Sequence, residues 1–160
     1  MPTTSIVTLN QILDLCESFV SAHPMLDDFG YGSTADIGTS RAMRFPYMWA
    51  SHQSDSYIRI LNKTAIPELK ILFFFMDKVN DMKNIKNRNG EESNNGQEVM
   101  SDCLQYAQDF VNEVVANWGA YGISISEDVR IFPGFDETTD KVNGWVAEVT
   151  MKLKYVNSTC

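Results

Sequence analysis

Two stretches of the chain repeat apolar residues at helical spacing. Thr8 followed by Gln11 has the spacing of a capping box, and Pro24 ends the first stretch because proline disfavours helical geometry in the residue before it. The second stretch carries a wider apolar stripe that includes Phe110 and Trp118, and Gly119 or Gly122 can supply the left-handed residue that closes it. We predict helices over 8–22 and 97–118.

Other segments favour strands. The pattern predicts five of them, near 41–50, 56–63, 69–78, 123–132 and 145–156. The last alternates most cleanly between apolar and polar residues. The third, "ELKILFFFMDKV", is apolar on both faces and therefore belongs in the middle of a sheet. Pro46 indicates an edge or a bulge for the first strand, and Asn143–Gly144 is a turn signal before the last one.

The order of these elements is helix, three strands, helix, two strands. This order predicts a single α+β domain over 1–160, with two main helices on one face of a mainly antiparallel sheet. The range from about 80 to 97 is rich in Asn and charged residues, which predicts a polar flexible insertion.

The charge of the chain narrows the classes of function. The formal net charge is −8 and the sequence pI is about 4.6, so nucleic-acid binding through neutralised phosphates is disfavoured. The three cysteines form no CxxC pair, which argues against a zinc site or a disulfide framework. No signal peptide is visible, and the apolar run at 69–76 is too short to span a bilayer. We expect a soluble chain made in a cytoplasm.

The segment "LDDFGYGSTADIGTSRAMRFPYMW" at 26–49 is the best candidate for chemistry. It has glycines beside hydroxyls, but it lacks the lysine and the following helix of a phosphate loop. Adjacent Asp27 and Asp28 point apart in an extended segment. Acids at 28, 36, 136, 137 and 140 lack EF-hand spacing for calcium. We predict no enzyme, cofactor or metal. The rival hypotheses are a hydrolase or nucleotide-binding domain using Asp28, Ser33 and His52, and a small cytoplasmic homo-oligomer that binds an apolar ligand at Phe73–Phe75.

Two motifs carry a resemblance to a known family. The 26–49 segment resembles the "DDFGYGD…I…YPxMWV" segment of small structural proteins in the head–tail gene clusters of phages infecting Bacteroidota, crAss-like phages included. The segment "IFPGFDETTDKVNGWVAEVTMKL" is similar to their late "PF…F.D…GW…V.L" hairpin, and the helix "MSDCLQYAQDFVNEV" corresponds in place. The element order is also similar to that of tail-terminator and tail-completion proteins.

The resemblance implies a virion subunit of the phage neck or tail, made in the host bacterial cytoplasm. Such subunits act as tail terminators or head–tail connectors, in a ring that is sixfold or twelvefold. The ring would contact portal, neck or tail proteins and enclose DNA without sequence-specific binding, and no membrane is involved. An acidic channel lining repels the duplex and lets it slide.

A closed ring above twofold needs two different contact surfaces on each chain. We expect one surface at the 69–78 strand with the 43–49 edge strand, and the other at the 133–143 loop with the 27–41 segment. The apolar strand supplies affinity and the charged side chains set register. The candidate contact residues are Asp28, Arg41, Arg44, Phe73, Phe74, Phe75, Asp136, Glu137 and Asp140.

Overall fold

The computed structural model describes residues 8–37, 43–52, 55–80, 85–86, 92–93, 95–136 and 142–154. Two α-helices, nine strands and two short 3-10 helices lie in these ranges. The helices are α1 (Leu9–Ala22) and α2 (Gly96–Asn117), with 3-10 turns at Thr34–Asp36 and Trp118–Tyr121. The strands are β1 (Asp28–Tyr31), β2 (Tyr47–His52), β3 (Tyr57–Leu61), β4 (Thr64–Lys78), β5 (Ile85–Lys86), β6 (Glu92–Ser93), β7 (Ile123–Ile125), β8 (Arg130–Asp136) and β9 (Val142–Leu153).

Seven strands form one mixed, mostly antiparallel sheet, in the order β1-β2-β4-β9-β7. β3 continues the β2 edge of β4, and β8 lies along β9 beside β7. β1 and β2 run parallel, and the other pairs in this sheet run antiparallel. The sheet therefore has β1 and β3 along one edge and β7 and β8 along the opposite edge. The predicted α+β class, with two helices against a mainly antiparallel sheet, is confirmed.

The main core lies between the helices and one face of the sheet. Phe110 of α2 is its centre, with ring centroids 4.6 Å from Phe73, 5.7 Å from Phe75 and 5.5 Å from Trp118. α1 adds its own apolar face through Phe19, whose ring lies 5.3 Å from that of Phe110. Both helices belong to this one core because their apolar stripes point at the same face of the sheet.

Side chains on the opposite face of β4 form a second, smaller apolar cluster. It contains Tyr47 and Trp49 of β2, Met76 of β4, Met43 and Val142. Its members come from residues before β2 as well as from the sheet. The chain itself therefore covers part of the second face of β4.

The structure corrects several expected boundaries. No strand was predicted before residue 41, but Asp28–Tyr31 forms a strand parallel to β2. This pairing places β2 between β1 and β4, so the expected edge position is wrong. Pro46 immediately precedes the strand and leaves its ladder intact. Within the 80–97 insertion, β5 and β6 pair as two short antiparallel strands. The C-terminal closure of the α2 region falls at Gly122, with φ 85°.

The last part of the sheet also differs from the expectation. The single strand predicted over 123–132 is two strands, and the Ser126 hydroxyl donates to the Asp128 carbonyl at 3.2 Å in the bend between them. Gly144 is not in a turn, because it lies inside β9 and pairs with Met76 on one side and Gly134 on the other. A Cβ at Gly144 would overlap the Phe75 carbonyl oxygen, so glycine is required by the close approach of β4.

Candidate subunit-contact surfaces

Three charged residues of the 26–49 segment, Asp27, Asp28 and Arg44, are linked by hydrogen bonds within the chain. Asp28 is buried, and its carboxylate accepts hydrogen bonds from the backbone N–H groups of Phe29 at 3.0 Å and Arg44 at 3.1 Å. The exposed Arg44 guanidinium donates to the Asp27 carbonyl at 2.7 Å. These bonds fix the start of β1 against the residues that lead into β2. The predicted role of Asp28 and Arg44 between subunits stays a prediction.

The glycines and hydroxyls of this segment have structural partners of their own. A Cβ at Gly30 would overlap the Trp49 ring, so the glycine makes room for that side chain. The Ser33 backbone N–H and hydroxyl both donate to Asp36 Oδ2, at 3.1 and 2.8 Å, and close the 3-10 turn. The glycines and hydroxyls that were considered for a phosphate loop instead form a close-packed strand followed by a capped 3-10 turn.

The residues of the hydrolase hypothesis bond to three different partners. Asp28 accepts from Arg44, Ser33 donates to Asp36, and His52 Nδ1 lies 2.7 Å from the Tyr31 hydroxyl. No bond between any two of Asp28, Ser33 and His52 is present among the described contacts. Within the described ranges, no group of three or more His, Cys, Asp or Glu side chains could hold a metal ion. No helix of that part of the chain is long and apolar enough to cross a membrane.

The three consecutive phenylalanines divide between the two faces of the sheet. Phe73 and Phe75 are fully buried under α2, because alternate residues of a strand point to the same face. Phe74 points to the other face and is half-buried against the second cluster. Of the three, only Phe74 is left with surface that a second chain can reach.

Two other predicted contact regions are described only in part. Asp136 ends β8, where its backbone pairs with Val142. Its side chain, together with Arg41, Glu137 and Asp140, lies outside the described residues. The proposed charge pairing between these groups stays a prediction.

The strongest exposed apolar feature is a β-hairpin that the sequence did not single out. The 57–67 hairpin consists of β3 and the first residues of β4, joined by a turn in which Asn62 and Lys63 have φ of 49° and 62°. β9 pairs with β4 only from Glu68 onward, so the hairpin projects beyond it. Ile58 is 65% exposed and Ile60 is 77% exposed. The sequence does contain a signal for this surface. "YIRIL" carries apolar residues on both faces of the strand, and both predicted helices already pack against other strands.

The base of this hairpin is held in place by polar contacts. Arg59 Nε donates to the buried Glu68 at 2.9 Å, and its Nη2 donates to the Tyr57 hydroxyl at 3.0 Å. The Tyr57 hydroxyl, followed by Arg59, holds the pKa of Glu68 below its ordinary value. Next to it, the Lys70 ammonium lies 2.7 Å from Asp55, and this bond lowers the pKa of Asp55. These contacts join β3 and the residues before it to β4.

A polar cleft lies between α1 and the start of β1. Its volume is about 480 Å³, and Glu17, Ser21, Asp27, Asp28 and Arg44 line it together with three apolar residues. None of its lining residues belongs to the Phe73–Phe75 strand, where the ligand-binding hypothesis placed its ligand. The cleft therefore gives that hypothesis no support.

Acidic and buried groups near α2 have shifted pKa values. Burial, followed by repulsion from Asp102 and Asp27, raises the pKa of Asp77. Burial and then the charges of Asp77 and Asp102 raise the pKa of Cys103 to about 12. Burial also raises the pKa of Cys16. These two thiols are closed off from solvent and held in the protonated form, so the geometry gives them no nucleophilic role.

No protein-family model matches the chain, and no curated protein matches it.

Proposed function

We propose that the protein is a structural subunit of the neck or tail of a tailed bacteriophage. Copies of it form a ring, sixfold or twelvefold, around the DNA channel, in a tail-terminator or head–tail connector role. The motifs at 26–49 and 131–153 support this proposal through their resemblance to phage head–tail proteins. The confirmed α+β architecture is compatible with the small ring subunits to which the element order is similar. We assign the protein no catalytic role and no cofactor.

One observation carries the assembly part of the proposal. All five residues of β3 are exposed, and four of them are large and apolar: Tyr57, Ile58, Ile60 and Leu61. Soluble monomers rarely leave contiguous apolar surface of this kind, and within the described residues the outer edge of β3 pairs with no strand. Contact with another protein chain removes both. A subunit that works inside an assembly satisfies this requirement, and an isolated monomer does not.

The charge of the chain agrees with a place around DNA. With a formal net charge of −8, a ring of many copies presents a strongly anionic surface. DNA passing through such a ring is repelled by the wall and does not adhere to it. This supports a channel subunit more than a protein that binds DNA.

Two experiments on the purified chain test the proposal. The chain is expressed alone and together with the proteins encoded beside it, and each preparation is studied by native mass spectrometry and negative-stain electron microscopy. We expect closed rings of identical copies with an open centre, alone or on the neighbouring ring. A chain that stays monomeric in both preparations would overturn the proposal. A twofold dimer with a bound small molecule would favour the ligand-binding rival instead.

A further inference from the structure

We draw no further inference here: the strongest candidate, the exposed apolar 57–67 hairpin at the edge of the sheet, carries none because nothing in the described part of the chain shows what covers it.

Discussion

Replacing Gly144 with alanine tests the arrangement at the centre of the sheet. Gly144 lies in β9 between Met76 of β4 and Gly134 of β8. A Cβ built there would meet the Phe75 carbonyl oxygen, the Met76 sulfur at 2.8 Å and the Met76 Cα at 2.9 Å. Real Cβ atoms essentially never come within 3.0 Å of such atoms, and two of these three belong to the backbone. The strand must therefore move, since no side-chain rotation relieves the overlap.

The size of the effect follows from the cost of overpacking. Forcing an extra methyl into a well-packed core costs about 1–3 kcal/mol, and the backbone neighbours place Gly144→Ala in the upper part of that range. For a chain of this length each kcal/mol shifts the unfolding midpoint by about 2–4 °C. We expect the midpoint to fall by roughly 6–12 °C, for a cost of about 3 kcal/mol. The assay is thermal unfolding followed by circular dichroism, with urea unfolding to give the free energy.

Gly119→Ala is the matched control. Gly119 lies in the 3-10 helix after α2, and a Cβ there would meet nothing within 4 Å. The same change of one methyl should alter stability there by no more than about 0.5 kcal/mol, as for other surface substitutions. If Gly144→Ala unfolds at the same midpoint as Gly119→Ala, β9 does not run between β4 and β8 in the register described, and the sheet topology is wrong.

Three further predictions concern the core and its ionisable groups. Phe110→Ala should lower the free energy of unfolding by about 3–5 kcal/mol in urea, since the ring is fully buried among other aromatic rings; a cost under 1 kcal/mol, like that of the exposed Gln108→Ala, would contradict the packing of α2. Burial raises the pKa of Asp77, so the folded chain binds its proton more tightly than the unfolded chain, and stability falls as pH rises through the range from the unfolded to the folded pKa. The unfolding midpoint of Asp77→Asn, relative to that of the unmodified chain, should therefore be higher at neutral pH than at acid pH. The same difference in midpoint at both pH values would refute this. Cys16 and Cys103 should resist iodoacetamide in the folded chain and react after unfolding in urea, as measured by peptide mass spectrometry; rapid labelling of either thiol in the native chain would show that it is not enclosed.

The elements with long periodic patterns could be predicted from the sequence. Residues 145–156 alternate between apolar and polar, and the residues around Phe110 form an apolar stripe at helical spacing. Both patterns reflect which residues the core buries, and the structure has β9 and α2 at these positions. The two-sided apolar pattern around Phe74 also placed β4 correctly in the middle of the sheet.

The features that escaped prediction depend on contacts between distant segments. β1 is four residues long, too short for a period, and Gly30 in it is explained only by the Trp49 ring across the strand pair. Gly144 carries a local turn signal next to Asn143, but its pairing with β4 overrides that preference. The exposure of β3 was not predicted either. A period-two pattern shows the two faces of a strand but does not show whether other residues cover them.

The burial of the candidate contact residues was predicted less well than the fold. Phe73 and Phe75 were candidates for contact with another chain, and they lie in the core because α2 covers their face of the sheet. Exposed apolar surface is instead concentrated on β3, where the sequence predicted only a strand. A strand apolar on both faces has two possible explanations, burial within the chain or contact with a partner, and the sequence pattern alone does not distinguish them.

Locating the protein in purified phage particles is the most direct test of the proposed function. Tailed phage particles whose genome encodes this chain would be purified, and the chain would be located by antibody labelling and single-particle electron microscopy with symmetry averaging. We predict label at the neck or tail, and a ring of identical subunits there whose density fits the seven-stranded sheet with its two helices. Particles that lack the chain, or that carry it away from the DNA channel, would contradict the proposal.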